Sequence, residues 1–153
     1  MENTIQFIAD LNSFINLALS MLESISDVEV LISGTFDSIV YRDILNRLVA
    51  INNLGGCKMI IPYIAKNGMV SRTYTNRIID AGGEVRLNSR FNNNLLVIGD
   101  NAFVLTFNQK YKPGFGMRNS FESCVVTNYK DAVGDIRKVF MNNWHNSLQI
   151  NIV

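Results

Sequence analysis

The chain has 153 residues, a formal net charge of +1, a hydrophobic fraction of 48% and a charged fraction of 18%. These values are typical of one globular domain and exclude a disordered chain. The balanced charge provides no basic field of the kind that attracts nucleic acid, and the longest apolar runs are far shorter than the ~20 residues of a membrane-spanning helix. We therefore expect one domain over residues 1–153 that binds no nucleic acid directly and does not span a membrane.

The first half of the chain alternates helical and strand patterns. Apolar residues that recur every three or four positions indicate helices, and short β-branched or apolar runs between them indicate strands. Because helical crossovers join consecutive strands, this half is expected to be parallel. The predicted elements are a helix at 4–26, a strand at 28–33, a helix at 37–53, a strand at 57–64, a helix at 69–81 and a strand at 84–87.

The pattern changes after residue 90. The runs LLVIGD and NAFVLTFN flank a turn and predict a β-hairpin. Residues 109–120, with two glycines beside a proline, predict a loop, and residues 121–128 predict a strand. A last helix is expected over 129–147, with Phe140 and Trp144 on its apolar face.

Together these elements predict an α/β fold. Its sheet is expected to be mixed and mostly parallel, and sandwiched between helices. The N-terminal helix 4–26 and the C-terminal helix 129–147 would flank a core over residues 28–128. Cys57 and Cys124 lie in apolar strand-like runs, so we expect two reduced core thiols and, weakly, a cytoplasmic location.

Three asparagines at 92–94 stand directly before the first strand of the hairpin. Here the chain resembles one half of the phospholipase D superfamily, over roughly residues 10–147. In that family a His-x-Lys pair precedes an apolar strand that ends in Asp, and a Gly-Ser-x-Asn strand, an Asn-x-Glu motif and an aromatic-rich helix follow. The corresponding pieces of this chain are GGEVRL, NNNLLVIGD, LTFN, RNSFES and VFMNNWHNS.

The side chains that the resemblance makes catalytic are replaced. Alignment on LLVI puts Asn92 at the histidine position and Asn94 at the lysine position, and a shift by one residue restores neither. Thr106 takes the serine position, whereas Asn108 and Glu122 match the family. In the family one histidine attacks phosphorus and a second protonates the leaving group, but asparagine neither titrates near pH 7 nor carries charge. The resemblance therefore implies a domain that is not an enzyme and needs no metal or cofactor.

Two interpretations of the asparagines stay open. In the first they form a strand-entry turn with polar side chains in solvent, because asparagine is a turn residue. In the second the former catalytic cleft persists as a neutral polar site, suited to a sugar-like ligand. The candidate ligand-binding residues are Asn92, Asn94, Thr106, Asn108, Arg118 and Glu122.

Other polar residues could also reach a ligand. Residues 111–119 could form a lid that carries Arg118, or a plain loop. Three polar residues follow the strand at 28–33, namely Thr35, Asp37 and Ser38. They could contact a ligand at the carboxyl end of the strand, or they could cap the next helix. The single histidine, His145, is expected near the end of the last helix without a catalytic role.

By resemblance, the chain is similar to the effector-binding domain of TrmB-type archaeal transcription regulators. This implies a regulatory, ligand-binding domain that forms a homodimer. The alternatives are a phosphodiesterase or nuclease of the phospholipase D superfamily, or a dimeric scaffold domain. A polar cavity would favour sensing, and a filled one would favour scaffolding.

Overall fold

The computed structural model describes residues 3–23, 29–34, 38–51, 55–62, 69–114 and 116–149. Strands and helices alternate in the first half, and an antiparallel region follows. The elements are β1 (Ile5–Ile8), α1 (Leu11–Glu23), β2 (Val30–Ser33), α2 (Ser38–Ile51), β3 (Cys57–Ile61), α3 (Met69–Asp80), β4 (Glu84–Leu87), β5 (Asn94–Ile98), β6 (Asn101–Lys112), β7 (Gly116–Thr127), α4 (Lys130–His145) and β8 (Leu148–Gln149).

The strands form one eight-stranded sheet in the order β1-β7-β6-β5-β2-β3-β4-β8. The neighbours joined by helical crossovers, β2 with β3 and β3 with β4, are parallel. The other neighbours are antiparallel. The predicted mixed α/β sheet is confirmed, but antiparallel pairs predominate among the described strands, so the expected mostly parallel character is wrong. The difference arises because hairpins and terminal strands extend a small parallel centre on both sides.

Helices cover both faces of the sheet, as predicted. Along β5, alternate side chains point to opposite faces, so Leu96 and Ile98 join the core beneath α1, α2 and α3, whereas Leu95 and Val97 join the core beneath α4. Trp144 belongs to the second core. Among the described side chains, the buried apolar helix residues are Phe14, Ala18 and Leu22 of α1, Ile44, Leu45 and Leu48 of α2, Ile78 of α3, and Val133, Phe140 and Trp144 of α4.

The predicted N-terminal helix at 4–26 is wrong in its first turn and a half. Residues 5–8 form β1, which pairs antiparallel with β7, and α1 begins at Leu11. Asp10 separates the two elements, because its carboxylate accepts hydrogen bonds from the backbone N–H of Ser13 at 3.0 Å and from its hydroxyl at 2.8 Å. This is the geometry of an N-terminal helix cap. Residues 24–26 lie outside the described part of the chain.

The predicted loop at 109–120 is also wrong. β6 and β7 continue as one long hairpin, and their register runs out to Lys112 opposite Gly116. The glycines and Pro113 occupy only its tip, where Gly114 has a φ of 83°. Cross-strand backbone pairing thus extends through residues whose types indicate a loop. A register shift after Thr106 leaves Glu122 without a Cα partner on β6, which is a β-bulge.

The two cysteines are buried and unbonded, as predicted. Burial raises the pKa of Cys57 to about 12 and that of Cys124 to about 11. Both side chains are therefore neutral core thiols near pH 7. No helix in the described ranges is long and apolar enough to cross a membrane.

Candidate functional site

An open groove of about 410 Å³ lies between the beginning of β5, the middle of β6 and one flank of α4. We call it the asparagine groove. Its polar lining consists of amide groups and one carboxylate, and the rest is aliphatic. Convergent polar groups beside an apolar wall are typical of small-molecule sites. The lining residues are Asn92, Asn93, Asn94, Leu95, Val104, Leu105, Asp135, Ile136 and Val139.

The end of β2 holds the asparagines in place. The Ser33 hydroxyl donates a hydrogen bond of 2.9 Å to the Asn93 carbonyl oxygen. Gly34 has a φ of 124°, and a Cβ atom built on it would lie 2.8 Å from Asn94 Cα and overlap the Asn94 side chain. Only glycine combines that backbone angle with so close an approach. The wall of the groove is therefore fixed by β2 before any ligand arrives.

Two of the predicted site residues, Asn92 and Asn94, line the groove, whereas Thr106, Asn108 and Glu122 do not. Asn94 is in register with Leu105, which belongs to the core beneath α1, α2 and α3. Thr106 lies on the same side of β6 as Val104, which does line the groove, but it is two residues further along the strand. Position along β6 thus leaves Thr106 outside the groove, and the roles of these residues in binding stay predictions.

Four of the polar residues singled out in the sequence lie wholly or partly outside the described part of the chain. Thr35 and Asp37 lie outside the described residues, as do the side chains of Ser38 and Arg118. The backbone of Arg118 lies in β7, opposite Lys110 of β6. The predicted lid is therefore part of a paired hairpin.

Asp135 is the groove residue that sequence reasoning missed. It lies on α4, far along the chain from the asparagines, and its neighbour Ile136 packs against the core beneath that helix. The available signal was the position of Asp135 in the predicted last helix, directly beside the apolar Ile136. Its carboxylate gives the groove a formal negative charge, and among the described residues no Lys, Arg or His belongs to the lining.

His145 does not belong to the groove lining. It is exposed at the last residue of α4, six residues beyond Val139, which is ~9 Å along a helix axis. Among the described residues, no group of three or more His, Cys, Asp or Glu is arranged to hold a metal ion. The groove can therefore offer hydrogen bonds and one negative charge, but no imidazole.

No known family model matches the sequence, and no curated protein matches it either. Among solved structures, the fold is similar to TrmBL2, an archaeal chromatin protein with a novel mode of DNA binding. The TM-score is 0.65 at 16% identity, over 97% of this chain and 54% of TrmBL2. The chain thus spans about half the length of TrmBL2.

This similarity contradicts the expectation of no direct nucleic-acid binding, because a DNA-binding protein contains the same fold. That expectation rested on net charge, which sums over the whole chain and conceals local clusters. Between residues 101 and 121 the sequence has Lys110, Lys112 and Arg118 and no acidic residue. These residues lie on the β6–β7 hairpin.

Two further solved structures match over their full length. Nuc from Salmonella typhimurium, a phospholipase D family member, has a TM-score of 0.72 at 18% identity and covers 99% of this chain and 100% of its own. NucT from Helicobacter pylori has a TM-score of 0.67 at 16% identity and covers 97% of this chain and 100% of its own. The sheet order, the two helical layers and these similarities together lead to one conclusion: the chain has a phospholipase D-like fold.

Proposed function

We propose that this chain is a non-catalytic, regulatory domain of phospholipase D-like fold that binds a small, hydroxyl-rich molecule in the asparagine groove. The observation that carries the proposal is the position of Asn92 and Asn94. They stand where the resemblance puts histidine and lysine, and they line a groove whose described lining residues include no cation. A catalytic phosphate site needs a nucleophile and positive charge, and amides supply neither.

The chemistry of the groove favours a neutral polyol or sugar. An asparagine amide carries two N–H donors and one acceptor, and an ionised Asp135 only accepts. Hydroxyl groups can donate to Asp135 and accept from the amides, while Val104 and Leu105 offer apolar surface to C–H groups. A phosphate would instead approach the like charge of Asp135. The groove therefore suits hydroxyl groups better than phosphates.

A regulatory role is supported by the similarity to TrmBL2, whose length is about twice the part matched here. In such an arrangement this domain would bind the effector in the cytoplasm as a homodimer. Ligand binding would change how the dimer presents its nucleic-acid-binding surface, with the basic β6–β7 hairpin as the candidate contact. For this to happen, the ligand must bind one arrangement of the dimer more tightly than the other, because a ligand shifts a conformational equilibrium only by its difference in affinity for the two states.

The second candidate is a phosphodiesterase, favoured by the full-length similarity to a phospholipase D family member. The chain contains one histidine, so even a homodimer would have to use His145 in place of the histidine of the family motif. His145 does not belong to the groove lining. Hydrolysis by this chain would therefore require a different arrangement of the nucleophile.

A thermal-shift screen against sugars and polyols tests the proposal. A ligand at 100 times its Kd stabilises a folded protein by about 2.7 kcal/mol, which corresponds to a rise in Tm of about 5–10 °C at this size. We expect such a saturable rise in the wild type and in Asn142→Ala, an exposed amide of α4 outside the groove. The rise should be lost in Asn92→Ala. Equal shifts in both variants would remove the groove as the site.

Hydrolysis of a chromogenic phosphodiester, measured on the same preparations, separates the two candidates. We expect no hydrolysis above the buffer rate. Activity in the wild type that disappears in a combined Asn92→Ala, Asn94→Ala, His145→Ala variant would overturn the non-catalytic proposal. Activity that persists in that variant would indicate a contaminating enzyme.

A further inference from the structure

A second cavity, of about 390 Å³, lies beside the first half of α4. We call it the charged cavity. Its volume is near the lower end of the range of small-molecule sites, so it suits a small ligand. Among its described lining residues only a valine is apolar. The lining consists of Asn3, Asp100, Asn128, Lys130, Val133 and Arg137.

The charged cavity and the asparagine groove lie on different flanks of α4. Lys130, Val133 and Arg137 recur at spacings of three and four residues, which places them on one stripe of the helix. A second stripe of α4 lines the groove, with the residues Asp135, Ile136 and Val139. The described lining residues of the two sites do not overlap, so each site can be altered without changing the lining of the other.

The sheet fixes the side of the charged cavity that faces away from α4. Thr127 of β7 is in register with Ala102 of β6 and with Ile5 of β1. The cavity residues that lie just beyond this row, at the ends of the same three strands, are Asp100, Asn128 and Asn3. The Asn128 side-chain oxygen accepts a hydrogen bond of 2.7 Å from the Thr4 backbone N–H, which joins the ends of β1 and β7.

Two hydrogen bonds hold the guanidinium group of Arg137 in place. Its Nε atom donates a bond of 2.6 Å to Oε1 of Glu29, and its Nη2 atom donates one of 2.9 Å to the Gly99 carbonyl oxygen. The Glu29 carboxylate also balances the charge of Arg137. The remaining N–H groups, on Nη1 and Nη2, have no acceptor among the described residues. A fixed donor group that lines a cavity and is 36% exposed is pre-organised for an acceptor on a ligand.

Lys130 and Asp100 bring opposite charges to the same cavity. Both are exposed, and neither side chain makes a salt bridge or a hydrogen bond with any described residue. Since Glu29 balances Arg137, the cavity presents one uncompensated positive charge and one uncompensated negative charge. A simple anion would meet the like charge of Asp100, and a neutral sugar would leave both charges unmatched. The matching ligand is small and carries one charge of each sign.

We propose that the charged cavity binds a free α-amino acid. The carboxylate of the ligand binds the Nη atoms of Arg137 and the ammonium group of Lys130, because the guanidinium fork matches the geometry of a carboxylate. The ammonium group of the ligand only donates hydrogen bonds, and it donates them to the Asp100 carboxylate. This site is separate from the asparagine groove and does not depend on the function proposed above.

The exposure of the two uncompensated charges determines the affinity. Pairs between solvent-exposed charges are weak, because water and salt screen them. We therefore expect a Kd of about 0.1–1 mM, so that occupancy follows the concentration of the free amino acid. Binding should weaken as the salt concentration rises.

Two-dimensional ¹H–¹⁵N NMR of the whole labelled chain, titrated separately with each of the common L-amino acids to about 10 mM, tests the proposal. We expect at least one amino acid to cause saturable shifts in the backbone signals of Gly99, Asp100 and Val133. Two analogues of that amino acid serve as ligand controls: the carboxylic acid that lacks the amino group, and the amide that lacks the carboxylate. Each should bind at least about tenfold more weakly.

Substitution of the two exposed charges tests their roles. Lys130→Gln and Asp100→Asn should each weaken binding about fivefold or more, and both proteins should fold, since neither side chain has a described partner. Lys138→Gln is the matched control, because it removes the same charge as Lys130→Gln from an exposed position of α4 that lines neither site. Its affinity for the amino acid should equal that of the wild type.

Several outcomes overturn the proposal. The absence of a saturable shift with every amino acid excludes the site, as does unchanged affinity in both variants. Equal binding of the analogue without an amino group would indicate a simple anion site. Shifts confined to Asn92, Asn94 and Asp135 would assign the amino acid to the asparagine groove. Failure of the sugar screen would leave these results unaffected, because the two sites share no described lining residue.

Discussion

The guanidinium group of Arg86 lies over the indole ring of Trp144, with Cζ 4.2 Å from the ring centroid. Its Nη1 atom also donates a hydrogen bond of 2.8 Å to the Trp144 carbonyl oxygen. Arg86 belongs to β4 and Trp144 to the last turn of α4. One cation thus stacks on the aromatic ring and neutralises the negative end of the helix dipole. This pair attaches the C-terminal end of α4 to the parallel part of the sheet.

We expect Arg86→Met to lower the free energy of unfolding by about 1–3 kcal/mol. Methionine retains apolar volume beside the ring but removes the charge-assisted hydrogen bond and the cation–π contact. Urea denaturation measures the loss. Arg90→Met is the matched control, because Arg90 is exposed in the turn before β5. Equal effects of the two substitutions would show that the contact with Trp144 contributes nothing.

Trp144→Ala should cost about 3–5 kcal/mol, as large aromatic truncations in cores do. Trp144 is buried and stacks on Phe140, with ring centroids 6.1 Å apart. Val139→Ala on the exposed flank of the same helix should cost less than about 1 kcal/mol. Denaturant titration of both variants distinguishes them. A small loss for Trp144→Ala would mean that α4 contributes little to the core.

Two glycine-to-alanine substitutions should change the stability of the protein in opposite directions. Gly34→Ala should destabilise the protein by more than about 2 kcal/mol, because the new methyl group overlaps Asn94 and the φ of 124° is strained for alanine. Gly134→Ala should stabilise it by about 0.5–1 kcal/mol, since this position is inside α4 and a Cβ atom there has no neighbour within 4 Å. Thermal unfolding of the two variants provides the measurement. A stable Gly34→Ala protein would contradict the close contact between β2 and the asparagines.

Asp10, the N-terminal cap of α1, should make the free energy of unfolding depend on pH in the acid range. Hydrogen bonds from the Ser13 hydroxyl, and then from the Ser13 backbone N–H, lower the pKa of Asp10. The carboxylate form is therefore favoured by folding. Its contribution is present above the unfolded-state pKa of about 3.9 and is lost as the pH falls through the lower folded-state pKa.

Unfolding free energies at intervals between about pH 5 and about pH 2.5 test this linkage. Asp10→Asn keeps a capping side chain but cannot titrate, so its pH dependence should be shallower than that of the wild type. Ser13→Ala removes the hydroxyl donor and should reduce the slope in the same direction. Identical slopes in all three proteins would show that the cap does not influence acid stability.

The sequence by itself determined most of the regular elements and the α/β class. The apolar period of α4 placed Phe140 and Trp144 inside, and the resemblance carried by the second half of the chain led to the phospholipase D-like fold. These features depend on local periodicity and on turn residues, which a single sequence displays directly. They therefore could be read without coordinates.

Only the tertiary structure decided the edge strand β1 and the length of the β6–β7 hairpin. Phe7, Ile8 and Leu11 satisfy a helical period, but β7 offers residues 5–8 a strand partner and Asp10 caps the helix that follows. The β6–β7 hairpin likewise continues through Gln109–Lys112, where residue types favour a loop. For residues 5–8 the backbone pairing comes from a distant segment, and for Gln109–Lys112 it comes from the returning strand of the same hairpin. Local propensity contains neither partner.

The residues of the asparagine groove were also identified partly from the sequence and partly from the structure. The asparagines stand out in the sequence, yet Asp135 joins them only because α4 crosses β5 and β6 on that face. Thr106 is near them in the chain and on the same side of β6 as the groove residue Val104, yet it lies further along the strand and does not belong to the lining. Sequence order thus identified the residues with polar chemistry, and the packing of α4 on the sheet decided which of them share one groove.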